Sequence, residues 1–226
     1  AALAGVLPAE VIRAWSGLGY NRRALNLHRL ARDVVENHAG ELPRAPAVLL
    51  GLPGVGSYTA TAVRCFARAE RVVVTDTNIA RVIARSRLGV ATRRDVSAES
   101  LGEAAGALLP ATAVRDHNLA LMDLGAVVCR ARNPDCEACP LRGRCSWKTA
   151  GSPAARAPAG PAPKFETTAR FARGRIIDAL REAPADIDEL AAILPGLHSE
   201  RTGIYLAALE KDGLVSHDAA GTWALA

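Results

Sequence analysis

Hydrophobic residues recur at helical spacing over most of the chain. From the first residue to Cys129, apolar positions repeat every three or four residues in several segments. These segments lie at about residues 9–16, 22–38, 45–51, 56–69, 77–88, 97–108 and 114–128. Only "RVVVT", residues 71–75, indicates a strand. The pattern therefore predicts a mainly α-helical protein.

A second helical region follows an interruption of the pattern. Residues 149–164, "TAGSPAARAPAGPAPK", are rich in proline, alanine and glycine and predict an extended linker. After it, residues 165–226 show three helical segments and then "LVSHDAAGTWALA", which predicts a hairpin. This is the element order of a winged-helix-like domain. The charges around its third helix nearly cancel, so we expect a structural or weakly DNA-contacting role; they are Glu200, Arg201, Glu210 and Lys211.

Four of the five cysteines lie in one short basic stretch, "CRARNPDCEACPLRGRC", residues 129–145. Thiolates on tight turns suit either a tetrahedral zinc ion or a cubane iron–sulfur cluster. Zinc sites usually pair one CxxC with another or with two histidines, whereas here only Cys136 and Cys139 form a CxxC. The uneven gaps of six, two and five residues therefore favour iron–sulfur. Disulfides would need an oxidising compartment, and the N-terminus does not resemble a signal peptide.

The charge of the chain is compatible with an acidic partner. The formal net charge is +5 and the sequence pI is about 9.2, as expected for a protein that binds nucleic acid. Lys148, Lys164 and Lys211 are the only lysines among the 28 basic residues, and arginine binds phosphate oxygens better through its planar fork. No apolar run approaches the length of a membrane span. We expect a cytoplasmic protein with no membrane partner.

A glycine-containing turn lies between two helical patterns in "LLGLPGVGSYTATAV". No lysine follows Gly56 and no strand precedes the turn, which excludes a Walker loop and a dinucleotide fingerprint. Backbone N–H groups of such a hairpin, with the start of the next helix, can hold a phosphate oxygen. An ordinary turn between helices is the alternative.

Asp76 stands directly before a helical pattern in "VVVTDTNIARVIAR". Its carboxylate can accept the free N–H groups of the first helical turn as an N-cap. The same carboxylate, at the mouth of a cleft, can also stabilise positive charge that develops on a sugar. The fifth cysteine, Cys65, lies on an apolar helical face and is predicted to be a buried core thiol.

Taken together, "GLGYNRRALNLHRLA", "LPGVGSYTATAV", "VVTDTNIARV", "MDLGAVVC" and the cysteine loop resemble a known family. In this order they are similar to the helix-hairpin-helix DNA glycosylases with a [4Fe–4S] cluster, and most nearly to adenine DNA glycosylases of the MutY type. The resemblance covers residues 1–148. It implies a glycosylase domain there, base excision of adenine mispaired with 8-oxoguanine or guanine, a double-stranded DNA partner, a monomeric state and a nucleoid location.

The resemblance also implies roles for individual residues. Asp76 is the expected catalytic carboxylate, stabilising an oxocarbenium-like sugar after the base has flipped out of the stack. The expected cluster ligands are Cys129, Cys136, Cys139 and Cys145, on a loop whose arginines, Arg130, Arg132, Arg142 and Arg144, lie against the DNA backbone. The expected substrate and DNA contacts are Leu52, Pro53, Gly54, Val55, Gly56, Tyr58 and Arg22. Because Tyr58 stands where bifunctional relatives have a lysine, base release without strand cleavage is expected.

Three departures from the family pattern shape these expectations. Asn21 stands where many adenine glycosylases have a second aromatic residue as a wedge into DNA. The Nudix-like domain that reads 8-oxoguanine is replaced by the shorter tail. The helix that carries the glutamate protonating the leaving adenine has no counterpart, so the chain is expected to lack an N-terminal segment. Residues 1–226 alone are therefore expected to release adenine slowly or not at all.

Two alternatives remain open at this point. The same scaffold also supports a thymine or oxidised-pyrimidine mismatch glycosylase, because related thymine glycosylases also have a tyrosine at the position of Tyr58. A non-catalytic iron–sulfur DNA-binding protein is the other, with Asp76 acting only as a helix cap.

Overall fold

The fold is described from a computed structural model, which describes residues 1–154 and 163–226. These residues form two compact units, one of residues 1–54 and 163–226 and the other of residues 55–154. Among them, no helix is both long and apolar enough to cross a membrane. The helices are α1 (Ala2–Gly5), α2 (Pro8–Ala14), α3 (Arg22–Asn37), α4 (Pro46–Gly51), α5 (Ser57–Ala62), α6 (Thr77–Leu88), α7 (Ala98–Leu108), α8 (Val114–Asp123), α9 (Ser146–Thr149), α10 (Ala169–Glu182), α11 (Ile187–Ala192) and α12 (Thr202–Lys211).

Helix α6 lies at the centre of the unit formed by residues 55–154. Asp76 caps its N-terminus and Gly89, with a φ of 73°, ends it in the left-handed conformation that glycine favours. Its buried face packs into the apolar core of this unit, which contains Cys65, Val74, Ile79, Ala80, Ile83, Ala84, Leu101, Ala105 and Val114. The prediction that Cys65 is a buried core thiol is confirmed, since it is fully buried.

Two helices of this unit end in wider turns. Helix α5 continues as a π-helical turn at Val63–Ala67, and α8 continues as another at Leu124–Val128, directly before the first cysteine of the loop. The strand indicated by residues 71–75 is wrong, because that segment pairs with no strand. One of its main-chain groups bonds to a side chain instead of a strand: the Val74 amide donates to Asn118 Oδ1 at 3.3 Å.

The tail contains the predicted elements in the predicted order. Helices α10, α11 and α12 are followed by strands β1 (Val215–His217) and β2 (Trp223–Leu225), which pair antiparallel with Val215 opposite Leu225. A single bridge also joins Ala185, between α10 and α11, to Trp223. The winged-helix-like assignment stays a prediction, and residues 155–162 of the predicted linker lie outside the described residues.

The tail shares its hydrophobic core with the first helices of the chain. Ile12 of α2 and Leu25 of α3 belong to the same buried cluster as the apolar faces of α10, α11 and α12. The Arg181 guanidinium of α10 also donates to the main-chain oxygen of Ile12 at 3.1 Å. The compact units therefore do not follow the predicted boundaries at residues 148 and 165.

Candidate functional site

Asp76 stands where an extended segment meets the first turn of α6. Its Oδ1 atom accepts a hydrogen bond from the Ile79 amide at 2.6 Å, the interaction expected of an N-cap aspartate. Val73 and Thr75, in the segment before it, line a cavity of about 420 Å³, which Tyr58 also lines. Asp76 itself is half-buried and is not among the lining residues of that cavity.

A chain of contacts links the start of α6 to the first cysteine of the loop. Arg81 Nη2 donates to Asn78 Oδ1 at 2.8 Å and to the Gly125 oxygen at 2.7 Å, while its Nε donates to the Cys129 oxygen at 2.8 Å. Burial lowers the pKa of Arg81, and the nearby Cys129 and Asp76 oppose that effect. The segment that carries Asp76 is thus fixed to the cysteine loop by one guanidinium.

Gly125 permits this close approach. A Cβ atom at this position would lie 2.7 Å from the Cβ atom of Asn78 and 2.9 Å from its main-chain oxygen. Any larger residue would push the π-helical turn away from the start of α6. The glycine of "MDLGAVVC" therefore has a packing function that its place in the motif alone does not reveal.

All four cysteines of the loop line one cavity. Burial raises the pKa of the Cys139 thiol, a hydrogen bond from the Leu141 backbone opposes this, and the other three thiols raise the pKa further. In residues 1–154 and 163–226, however, no three His, Cys, Asp or Glu side chains converge closely enough to hold one metal ion. Four sulfurs around a space, rather than around a point, fit a multi-atom iron–sulfur cluster better than a single zinc ion.

The basic residues of the loop differ in their contacts. Arg142 forms an ion pair with Glu137, and Arg130 Nη2 donates to the Asn133 oxygen at 3.0 Å. Arg132 and Arg144 are exposed. The loop thus presents positive charge to solvent while two of its arginines also stabilise its turns.

The two glycines of the predicted hairpin have different functions. Gly54 has a φ of +74°, and a Cβ atom there would lie 2.7 Å from the Cβ atom of Asn26, so glycine is required. Gly56 is extended, with φ −89° and ψ 178°, and a Cβ atom would meet nothing within 4 Å. Leu52 is buried, whereas Gly56 and Tyr58 are exposed. No described side chain caps the first turn of α5.

Residues from the tail hold the loop before α3. Arg170 Nη1 donates to the Tyr20 hydroxyl at 2.7 Å and its guanidinium lies 4.0 Å from the centre of the ring. Tyr20 has a φ of 49°, a left-handed conformation that a bulky residue rarely adopts. Asn21 Oδ1 accepts from Arg181 Nη2 at 2.8 Å. The predicted DNA contact Arg22 is exposed and lies 3.6 Å from Asp212.

Sequence reasoning missed two arginines of α6, Arg81 and Arg85. Both interact with the cysteine loop, and Arg85 is buried. A signal for them exists: they stand four residues apart on a helix whose positions 79, 80 and 82–84 are all apolar. A charged residue on such a face is shielded from water and needs a partner that compensates its charge.

Comparisons with known proteins agree with this geometry. The family model for the HhH-GPD superfamily base excision DNA repair protein matches residues 1–104, and the iron–sulfur binding domain of endonuclease III matches residues 129–145. The adenine DNA glycosylase of Mycolicibacterium smegmatis is 41% identical over 227 residues, which cover 100% of this chain and 76% of that protein. The chain belongs to the adenine DNA glycosylase family.

Solved structures support the same fold for this adenine DNA glycosylase family member. A thermostable thymine-DNA glycosylase aligns with a TM-score of 0.60 and 35% identity over 66% of this chain and 69% of its own. A non-covalent endonuclease III–DNA complex aligns with a TM-score of 0.55 and 27% identity, over 66% and 69%. The predicted helix-hairpin-helix glycosylase fold, the iron–sulfur cofactor and the class of DNA-binding base excision repair hydrolase are confirmed.

Proposed function

We propose that this protein hydrolyses the N-glycosidic bond of adenine mispaired with 8-oxoguanine or guanine in double-stranded DNA. The observation that carries the proposal is the position of Asp76, at the N-terminus of α6 and joined through Asn78 and Arg81 to the cysteine loop. A carboxylate anchored in this way is rigid, which electrostatic stabilisation of a transition state requires. We also propose that the protein acts as a monomer on chromosomal DNA in the cytoplasm.

Asp76 is the proposed catalytic carboxylate. As the bond from the sugar to adenine breaks, its electron pair leaves with the base, and the sugar becomes an oxocarbenium-like cation. The Asp76 carboxylate stabilises this cation and orients the water that adds to it. The Ile79 amide holds Oδ1, so the side chain keeps one orientation during the reaction. The proton that remains from the water leaves through the solvent or the departing base.

Protonation of adenine needs a general acid, and three glutamates of this chain are poorly suited to that role. Glu70 accepts from Arg64 at 2.6 Å, and Glu36 accepts from Arg32 at 3.2 Å, so both carboxylates are engaged in ion pairs. Glu41 is exposed. General acid catalysis typically contributes about 10²- to 10⁴-fold, so the rate of adenine release depends strongly on which group donates this proton.

Tyr58 supports a monofunctional reaction. Its side chain is 44% exposed beside the large cavity, where a bifunctional enzyme would need an amine to form a Schiff base. A phenol does not form one. The proposed products are therefore free adenine and an intact strand with an abasic site.

The hairpin and the cysteine loop are the proposed DNA-holding elements. The proposed ligands of the [4Fe–4S] cluster are Cys129, Cys136, Cys139 and Cys145, and their loop offers the exposed Arg132 and Arg144 to phosphates. The proposed contacts are completed by the hairpin residues Leu52, Pro53, Gly54, Val55 and Gly56, whose main-chain amides other than that of Pro53 can donate to phosphate, and by Arg22. Gly56→Asp fits the backbone sterically, so it tests the hairpin without strain.

The Gly56→Asp variant is expected to bind matched and mismatched duplexes about equally weakly, because phosphate contacts carry no sequence information. Gly106→Asp, which places the same charge on α7 where a Cβ atom also meets nothing within 4 Å, serves as the control. A loss confined to one mismatch, or an equal loss in the control, would contradict the hairpin assignment.

Single-turnover release of adenine from an 8-oxoguanine:adenine duplex tests the function. The protein is expected to release adenine, and Asp76→Asn is expected to abolish release while duplex affinity remains. Adenine release by Asp76→Asn at the unmodified rate would exclude Asp76 as the catalytic carboxylate.

Thymine release from a G:T mismatch is the second candidate function. The observation that favours it is the 35% identity to the thermostable thymine-DNA glycosylase structure over two thirds of the chain. The same single-turnover assay on G:T duplexes separates the two functions. Release of thymine with no release of adenine would replace the first proposal.

A further inference from the structure

Arg85 is a buried cation beside the cysteine loop. It lies in the last turns of α6 and only 5% of its surface is exposed. Arginine is almost never buried unless a partner compensates its charge, because removing the charge from water is costly. Across residues 1–154 and 163–226, no ion pair joins Arg85 to a carboxylate. The protein atoms alone therefore leave this charge without an anion.

The guanidinium donates to main-chain oxygens on two segments. Its Nε donates to Ala91 at 3.1 Å, its Nη1 to Arg130 at 2.8 Å and its Nη2 to Ala131 at 3.2 Å. The three acceptors surround the planar fork, an arrangement that a lysine ammonium does not reproduce. These bonds hold the main chain that follows Cys129 in place, but carbonyl oxygens are neutral and do not balance the charge.

Two further contacts bring Arg85 to both ends of the cysteine loop. Nη1 lies 3.5 Å from the Sγ atom of Cys129, and the Cys145 Sγ lies 3.7 Å from the main-chain oxygen of Arg85. The guanidinium also lies 4.7 Å from the centre of the Trp147 ring, two residues after Cys145. Arg85 and all four cysteines line the same cavity. The anion that this arginine lacks is thus expected in that cavity.

We propose that Arg85 is the buried counter-cation of the iron–sulfur cluster, and that it positions Cys129 and raises the reduction potential of the cluster. The inference rests on the proposed ligation by the four cysteines. A cluster bound to four thiolates is anionic, so it supplies the negative charge that Arg85 lacks. Reduction adds one electron to that anion, which a fixed cation stabilises, and an N–H donor to a ligand sulfur acts in the same direction.

The test compares Arg85→Met, Arg85→Lys and the control Arg87→Met, an exposed arginine two residues along the same helix. Each full-length chain is purified without oxygen. Iron and sulfide content, the rate of cluster loss to a chelator and the one-electron midpoint potential at an electrode are then measured. Removing a residue that orients a metal ligand usually lowers metal affinity by about 10- to 100-fold, and Arg85→Met is expected to lose the cluster faster by a comparable factor. Its potential is expected to shift to more negative values.

Arg85→Lys separates the two parts of the proposal. It is expected to lose the cluster as readily as Arg85→Met, because the fork is lost, while its potential stays nearer that of the unmodified protein, because the charge remains. Arg87→Met is expected to match the unmodified protein in every measurement. If Arg85 only stabilised the fold, its substitutions would change how long the cluster is retained, but the potential would not become more negative from the unmodified protein to Arg85→Lys to Arg85→Met.

The outcomes are distinguishable. If the unmodified protein holds no iron or sulfide, the cluster ligation fails. If Arg85→Met does not load, Arg85→Gln, which keeps N–H donors without the charge, replaces it. A loaded neutral variant with the unmodified potential would overturn the counter-cation role, and failure of both neutral variants to load while Arg85→Lys loads would support it. Equal chelator resistance in all variants would overturn the positioning role.

Discussion

The cysteine loop at residues 129–145 and the tail at residues 165–226 acquire defined structures by opposite means. None of the loop residues is buried. Its main chain is held by two arginines of α6, Arg81 and Arg85, and its four thiols line one cavity. The tail instead has an apolar core, in which Ile176, Leu206 and Leu209 are buried almost completely.

The two regions are encoded in the sequence in different ways. The loop is specified by a few residues at fixed spacing, and its stability belongs to the cofactor and to charged contacts. The tail is specified by a distributed apolar pattern that tolerates individual substitutions, and it completes a core together with α2 and α3. A substitution that unfolds one region should therefore leave the other region folded.

Loss of one cysteine should have the largest effect and should be confined to the loop. Cys136→Ala is expected to release the cluster, whose coupled folding energy is on the order of 10 kcal/mol for structural metal sites. Hydrogen exchange measured by mass spectrometry should then show unprotected amides in residues 129–145 and unchanged protection in α10 and α12. Cys65→Ala, at the fully buried fifth cysteine, should keep the bound iron. Loss of protection throughout the tail would contradict the separation.

Removing core volume from the tail should have the next largest effect, in the opposite region. Ile176→Ala is expected to lower the free energy of unfolding by about 2–5 kcal/mol, because Ile176 is fully buried. Protection should fall in α10 and also in α2, since Ile12 shares that core. The exposed Ile204, 68% accessible on α12, offers a matched Ile→Ala control, expected within about 0.5 kcal/mol of the unmodified protein. Unchanged protection of Ile12 would show that the tail folds independently.

The sequence predicted the local features of this protein well and its long-range contacts poorly. Asp76 as a helix cap and the grouping of four cysteines follow from neighbours along the chain, and both are present. The packing of Ile12 against the tail joins positions more than 150 residues apart, which periodicity cannot reveal. Residues 71–75 mislead because a run of β-branched residues favours a strand, but in the described part of the chain the two strands, β1 and β2, pair with each other and not with this segment.

Arg181 offers a smaller test of how the tail supports the loop before α3. Its side chain is 7% exposed and bonds both Ile12 and Asn21. Arg181→Met leaves these two acceptors without their donor and is expected to lower the free energy of unfolding by about 1–3 kcal/mol in urea titrations. Arg175→Met, an exposed arginine of the same helix, is the matched control. If Arg181→Met and Arg175→Met lowered the free energy of unfolding equally, the hydrogen bonds of Arg181 to Ile12 and Asn21 would have no specific stabilising effect.

The smallest expected effect is a pH dependence that belongs to the unit carrying the cysteine loop. Burial lowers the pKa of His117 on α8 from its ordinary value of 6.5, and none of the described groups hydrogen-bonds its Nε2 atom. Because the folded pKa is the lower one, the unfolded chain binds the proton more readily between the two values, and the free energy of unfolding falls as the pH drops below about 6.5. Below the folded pKa both states are protonated and the loss stops growing. Urea titrations of the cluster-loaded protein from about pH 7.5 to 5 should show this decline, and His117→Leu, which has no proton to bind, should remove part of it. Parallel pH curves for the two proteins would assign the decline to other groups.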